Sequence, residues 1–246
     1  RYFGINELLN EETADAIWEK ANAELAKEEL RVKGIFKKFK VKLVCTTDDP
    51  TDSLEYHIKI RESGEFDTKV IPAMRPDKGL NINNPTFKDW ISKLAEVSGI
   101  SINTYEDFMN AMENRINFFH SQGSRLSDHA LDYVPYAEAS YDEVNEIFQR
   151  ALKGEKVSFD DETKYRTYTL QFLGKQYAKN GWVMQYHINA MRNVNTVMLE
   201  KIGPDSGFDS INDVNITYTL ARLMDSLEKE NALPKTILYT LNPKDN

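Results

Sequence analysis

Three observations predict an α/β protein built on a parallel sheet. Short apolar runs alternate with longer segments whose apolar residues recur every three or four positions, five times along the chain. Where the pattern is clearest, the short runs are apolar on both faces, as strands lying under helices are. Each run also ends in a polar cluster. Helical crossovers between parallel strands gather such clusters on one edge of the sheet, which is where a TIM-type (β/α)8 barrel carries its chemistry. The 246 residues are 41% hydrophobic and 28% charged, enough for a sizeable core in one large domain or two small ones.

Residues 10–30 read as helical, with Ile17, Trp18, Ala21 and Leu25 at helical spacing. The basic run "KGIFKKFKVK", Lys33 to Lys42, reads as solvated surface leading into a strand, with a phosphate patch as the alternative. "VKLVCTTDDP" is the first strand with a polar end, and Cys45 inside it reads as a small core residue. "DTKVIPAMRPDK" is the second, Val70 to Met74 followed by Arg75 and Asp77.

Two helices follow, one marked by Phe87, Trp90, Ile91 and Leu94, the other by Phe108, Met112, Ile116 and Phe119. Thr104 and Asp107 are spaced to cap the second. "RLSDHALDY" is a third strand, weak in apolar pattern. Ser140 and Glu143 form a capping box before Val144, Ile147, Phe148 and Leu152, and a further helix carries Tyr165, Tyr168, Phe172 and Leu173. "GWVMQYHINAMRN" is the fourth strand unit, and "KTILYTLNPKDN" the fifth, after a helix with Leu220, Leu223, Met224 and Leu227.

Charge and motifs exclude several classes. A net charge of −8 argues against a nucleic-acid surface and against anionic membrane. One cysteine allows no internal disulfide and no CxxC zinc site, which suits a reducing compartment. No long apolar segment or leader pattern is present, so the expected location is cytoplasmic. No GxGxxG or P-loop signature supports a nucleotide-binding sheet. The chain begins at Arg1 and stops just after a strand-like run, so both ends are expected to be cut.

The strand ends supply the candidate chemistry. The first holds Thr46, Thr47, Asp48 and Asp49. Its paired carboxylates suit acid–base or metal work, or a turn before Pro50. The second end has Arg75 and Asp77, where Arg75 suits a substrate carboxylate held through two parallel hydrogen bonds or a structural pair with a neighbouring acid. The third has Asp128, His129 and Asp132, where His129 is a base, a ligand or a bonded core residue. The fourth brings His187, Asn189, Arg192 and Asn193, which together suit an anionic, hydroxylated ligand. "GPDSGFDS", Gly203 to Ser210, is a turn-rich loop. On residues alone this is a barrel enzyme acting on a small polar acid.

The blocks "TTDDPTDSLEYH", "MRPDK", "SDHALD", "HINAMRNVNT", "GPDSGFDS" and "TLNPKDN", in that order, resemble uronate (glucuronate) isomerases of the amidohydrolase superfamily. The resemblance covers nearly the whole chain. It implies a partial (β/α)8 barrel, about strands two to six, over residues 41–246, with a helical insertion segment over residues 1–40. It implies aldose–ketose isomerisation of D-glucuronate to D-fructuronate, and of D-galacturonate to D-tagaturonate, through an enediol. Arg75, His187 and Arg192 become substrate-binding residues, and Asp48 and His129 become catalytic candidates. The implied cofactor is a divalent metal, zinc, with ligands outside these residues. The implied partner is the uronate itself, with homo-oligomerisation left open. The fragment alone is expected to be inactive. Two rivals remain: a metal-dependent hydrolase of the same superfamily, and a non-catalytic interaction module.

Overall fold

The computed structural model describes residues 2–245. These divide into two compact units, residues 2–45 with 55–71, and residues 46–54 with 72–245.

The first unit contains helices α1 (Ala14–Leu25), α2 (Val32–Lys38) and α3 (Glu55–Ser63). The basic run folds as α2 and the turn after it, with a strand following as expected. Its lysines rim a cleft of about 310 Å³, but they are exposed, and Lys33 pairs with Glu65 at 2.7 Å. Cys45 is exposed, which corrects the core reading. Its strand is half-exposed on alternate positions, so an apolar neighbourhood in sequence did not make it a buried one.

One five-stranded sheet takes β1 (Leu43–Asp48), β2 (Lys69–Met74), β3 (Leu126–Leu131), β4 (Val183–Ile188) and β7 (Thr236–Thr240) in chain order. The pairs β2–β3, β3–β4 and β4–β7 are parallel. A two-stranded antiparallel ribbon of β5 (Ala190–Met191) and β6 (Ser210–Ile211) interrupts the series. The sequence pattern missed it because two residues are too few to show a period of two.

The second unit also holds α4 (Asp77–Leu80), α5 (Phe87–Ser98), α6 (Tyr105–Ser121), α7 (Tyr141–Leu152), α8 (Phe159–Lys179), α9 (Thr196–Ile202) and α10 (Thr217–Glu228). Both capping boxes form. Asp107 N–H donates to Thr104 Oγ1 at 3.1 Å, and Glu143 N–H to Ser140 Oγ at 3.3 Å. Each satisfies a backbone donor that the first helical turn leaves without an internal partner. The apolar stripes of α5 to α8 meet in an aromatic core, where Tyr105 lies 5.8 Å from Phe148 and from Tyr165. The buried hydroxyls find partners: Tyr165 donates to the Gly79 carbonyl at 2.6 Å, and Tyr105 pairs with Thr169 at 2.9 Å. Among the described residues no helix is long and apolar enough to cross a membrane.

Parallel register decides which side chains share a face. Met74, Ser127, Met184 and Thr236 are mutual neighbours across the sheet. Ser127, His129, Leu131, Met184, Tyr186 and Ile188 are buried, most of them joined to the helical core. By strand alternation Asp128, Ala130, Gln185, His187, Ile237 and Tyr239 take the other face. That second face is polar, unlike the apolar pair of faces the sequence suggested.

Candidate functional site

The second face carries one charged constellation, centred on Asp128. Arg75 follows directly on β2 and sets Nη2 2.5 Å from Asp128 Oδ2. Thr47 of β1 donates its hydroxyl to the same oxygen at 3.2 Å. His187 of β4 places Nε2 3.0 Å from Asp128 Oδ1. That last contact is close in distance but not aligned as a hydrogen bond, since Oδ1 has no donor meeting the angular requirement. The Asp128 side chain is only 6% exposed, whereas His187 is 45% exposed. The result is a buried carboxylate acceptor behind an accessible imidazole and guanidinium.

The His187 ring lies flat on Tyr239, with centroids 4.5 Å apart and planes 8° from parallel. Tyr239 in turn donates its hydroxyl to Gln185 Oε1 at 3.1 Å. Ala130, His187 and Tyr239 are register partners on three adjacent strands, so the sheet itself aligns this row. Asp77, at the start of α4, lies on the other side of Arg75, with Oδ2 3.7 Å from Nε. Both of its oxygens accept the Ala130 N–H, at 3.2 Å each. Burial pushes the Asp77 carboxyl up to about 7, against the pull of Arg75, the Ala130 N–H and Arg166, with Asp128 adding to the rise.

His129 and Asp48 are each the chain neighbour of a member of this constellation, Asp128 and Thr47. His129 points into the helix-packed face, fully buried, 5.8 Å from the Tyr177 ring and 5.3 Å from Tyr186. Neither ring nitrogen has a hydrogen-bond partner. Burial, with the charge of Arg75, pushes its pKa down to about 3, so it stays neutral. The strand turns Asp128 toward the constellation and His129 toward the helical core. Asp48 likewise accepts the Thr46 hydroxyl at 2.6 Å, on the face of β1 opposite Thr47.

The other acids have structural work. Asp49 accepts Thr51 N–H at 2.9 Å, Thr51 Oγ1 at 2.8 Å and Trp90 Nε1 at 2.9 Å, with Lys78 at 3.2 Å. Burial works against its charge, but these donors outweigh it and hold the carboxyl below its usual range. Buried Arg115 donates to the carbonyls of Pro50 and Asp52 and fastens the same loop. Asp132 pairs with Arg166 at 3.1 Å.

Arg192 stands in a separate cluster. It pairs with Asp209 of the "GPDSGFDS" loop, and Asp209 also accepts the Asn193 N–H at 3.0 Å. Gly203 and Gly207 both have positive φ there, the freedom that loop requires. No ion pair or hydrogen bond among the described residues joins Arg192 to Asp128, Arg75 or His187. Sequence reasoning placed Thr47 at the first strand end without giving it a role, and it missed Tyr239, Gln185 and Asp209. Strand alternation could have pointed to Thr47, but Tyr239 and Gln185 needed the register. Among the described residues no group of three or more His, Cys, Asp and Glu side chains could hold a metal ion. The metal implied by the family resemblance therefore finds no ligand set in this donor arrangement.

This is a parallel α/β sheet that collects an arginine, a histidine and a buried carboxylate at its strand ends, a set able to hold an anion. The sequence matches the profile of the family described as glucuronate isomerase over residues 1–246, and the chain belongs to that family. It is 59% identical over its whole length to a uronate isomerase of Clostridium acetobutylicum, covering 52% of that protein. It is 50% identical, again over its whole length, to a uronate isomerase of Bacillus subtilis, covering 52% of it. The crystal structure of a uronate isomerase from Thermotoga maritima superimposes with TM-score 0.91 at 30% identity, over 98% of this chain and 52% of that one. A glucuronate isomerase from Caulobacter crescentus gives 0.89 at 30% identity, over 98% and 50%. The chain spans about half the length of the curated relatives it matches.

Proposed function

We propose that the protein containing this chain is an aldose–ketose isomerase of hexuronates, interconverting D-glucuronate with D-fructuronate and D-galacturonate with D-tagaturonate. The observation that carries this reading is the family match across every residue of the chain, which includes the Arg75–Asp128–His187 constellation. In the same reading the five parallel strands are about strands two to six of a (β/α)8 barrel, and the N-terminal helices are an insertion. The enzyme serves cytoplasmic uronate catabolism.

Arg75 meets the uronate carboxylate, because a guanidinium matches its two oxygens and still keeps Asp128. Arg192 is a second cation for the same anion. His187 hydrogen-bonds a hydroxyl or the carbonyl oxygen of the open-chain sugar. Asp128, buried behind them, holds both Arg75 and His187 in place. A proton leaves C2 and one returns to C1 through an enediol. A divalent metal, zinc, would polarise the sugar oxygens from ligands outside these residues.

The test is conversion of D-glucuronate and D-galacturonate by the intact protein with zinc supplied, read as ketose by NMR. Ketose formation supports the reading; a folded, zinc-supplied protein that forms none refutes it. This chain assayed alone is expected to be inactive.

A further inference from the structure

Arg75 is shared by two carboxylates, and only one of them can belong to its resting partnership if it is also to receive a substrate anion. Asp128 lies 2.5 Å from Nη2, and Asp77 lies 3.7 Å from Nε on the other side. With both acids ionised, the local sum of Arg75, Asp77 and Asp128 is one negative charge, which repels a carboxylate. With Asp77 protonated the sum is zero, and the guanidinium has a charge to give. Asp77 is mostly buried, with 19% of its side chain exposed. The groups facing it are Arg75 after β2, the Ala130 N–H and Asp128 of β3, and Arg166 and Tyr177 of α8.

We propose that Asp77 is a positioning residue that controls how much of Arg75 is available to substrate: as the acid it leaves Arg75 one carboxylate partner, and as the carboxylate it competes with the incoming anion. The proposal rests on the reading that Arg75 meets a uronate carboxylate. The near-neutral titration range of Asp77 places the change within ordinary assay conditions.

The experiment has two arms on the intact protein. The first follows the Ala130 backbone amide by 15N NMR from pH 5 to 9, in wild type and in Asp77→Asn. The amide donates to both Asp77 oxygens, so its shift is expected to move with a midpoint near neutrality in wild type and to stay flat in the variant. An unmoved wild-type amide, or the same movement in both, overturns the proposal whatever the substrate is. The second arm measures KM and kcat for D-glucuronate at pH 6, 7 and 8. Asparagine keeps an oxygen for the Ala130 N–H and cannot ionise. The wild-type KM is expected to rise about tenfold relative to the variant between pH 6 and pH 8, with kcat little changed, as the fraction of protonated Asp77 falls. Equal pH dependence of KM in both proteins overturns the proposal. No turnover by wild type at any pH would instead sink the hexuronate reading and this role with it.

Discussion

His129 offers the sharpest test of how the sheet apportions its side chains. It is fully buried, and neither nitrogen is hydrogen-bonded. The perturbation is His129→Leu, similar in bulk and unable to take a proton. Burial holds the folded-state pKa at about 3, while the unfolded imidazole titrates near its ordinary value of about 6.5. The sign follows from linkage: between those values the unfolded state binds a proton that the folded state refuses. Wild-type stability is therefore complete above pH 6.5 and is lost as pH falls toward 3. The loss from this one group is about 1.4 kcal/mol at pH 5.5 and about 2.7 kcal/mol at pH 4.5. The leucine variant lacks that loss, and every other titrating group is common to both proteins. At pH 8 the variant is expected to be at least as stable as wild type, because an unpaired buried polar group costs about 1–3 kcal/mol. Urea denaturation followed by far-UV circular dichroism at pH 8, 5.5 and 4.5 measures the difference. A gap between the two proteins that does not widen with acid would refute the reasoning and imply that folded His129 takes up a proton.

Asp128→Asn removes the charge that positions Arg75 and His187, and a hydrogen bond to a charged group is worth about 1.5–3 kcal/mol. The expected kcat/KM for D-glucuronate falls by up to about 100-fold. Arg192→Ala breaks only a half-exposed pair with Asp209, so the unfolding free energy should change by less than about 1 kcal/mol; a large rise in uronate KM at unchanged thermal midpoint would then report a ligand contact. Ser140→Ala removes the cap of α7 and should cost about 1 kcal/mol, a fall of about 2–4 °C in thermal midpoint. Gly79→Ala places a methyl 2.9 Å from the Trp90 ring, which Asp49 pins in place, and overpacking of this kind costs about 1–3 kcal/mol. Gly174→Ala meets the two Leu227 methyls at 2.8 and 3.1 Å, the end of one flexible side chain, so its urea midpoint should shift less.

Much of the architecture was legible because it is written locally. The strand-then-helix alternation, the two capping boxes and the apolar stripes at Phe87–Leu94 and Val144–Leu152 all depend on residues within one or two turns of each other. Arg75 and His187, picked as strand-end residues, do share one carboxylate. Asp49 was open between chemistry and a turn, and only Trp90, 41 positions away, and Lys78 decide for the turn. The ribbon of β5 and β6 and the Arg192–Asp209 pair depend on contacts that no local window contains.

By itself the sequence determined the five strands of the main sheet and the helices between them, where those strands end, and that arginine, histidine and acids gather there. It also held enough ordered blocks to place the chain in its family. It did not decide which of two adjacent residues faces the site. In "SDHALD" the choice between Asp128 and His129 is a choice of face, and in "TTDD" so is the choice between Thr47 and Asp48. A strand's side chains alternate with a period of two, so a shift of one residue exchanges the whole set between core and site. The register with β2 and β4, and the burial of His129 against Tyr177 and Tyr186, make that choice, and both come from residues far away in the chain.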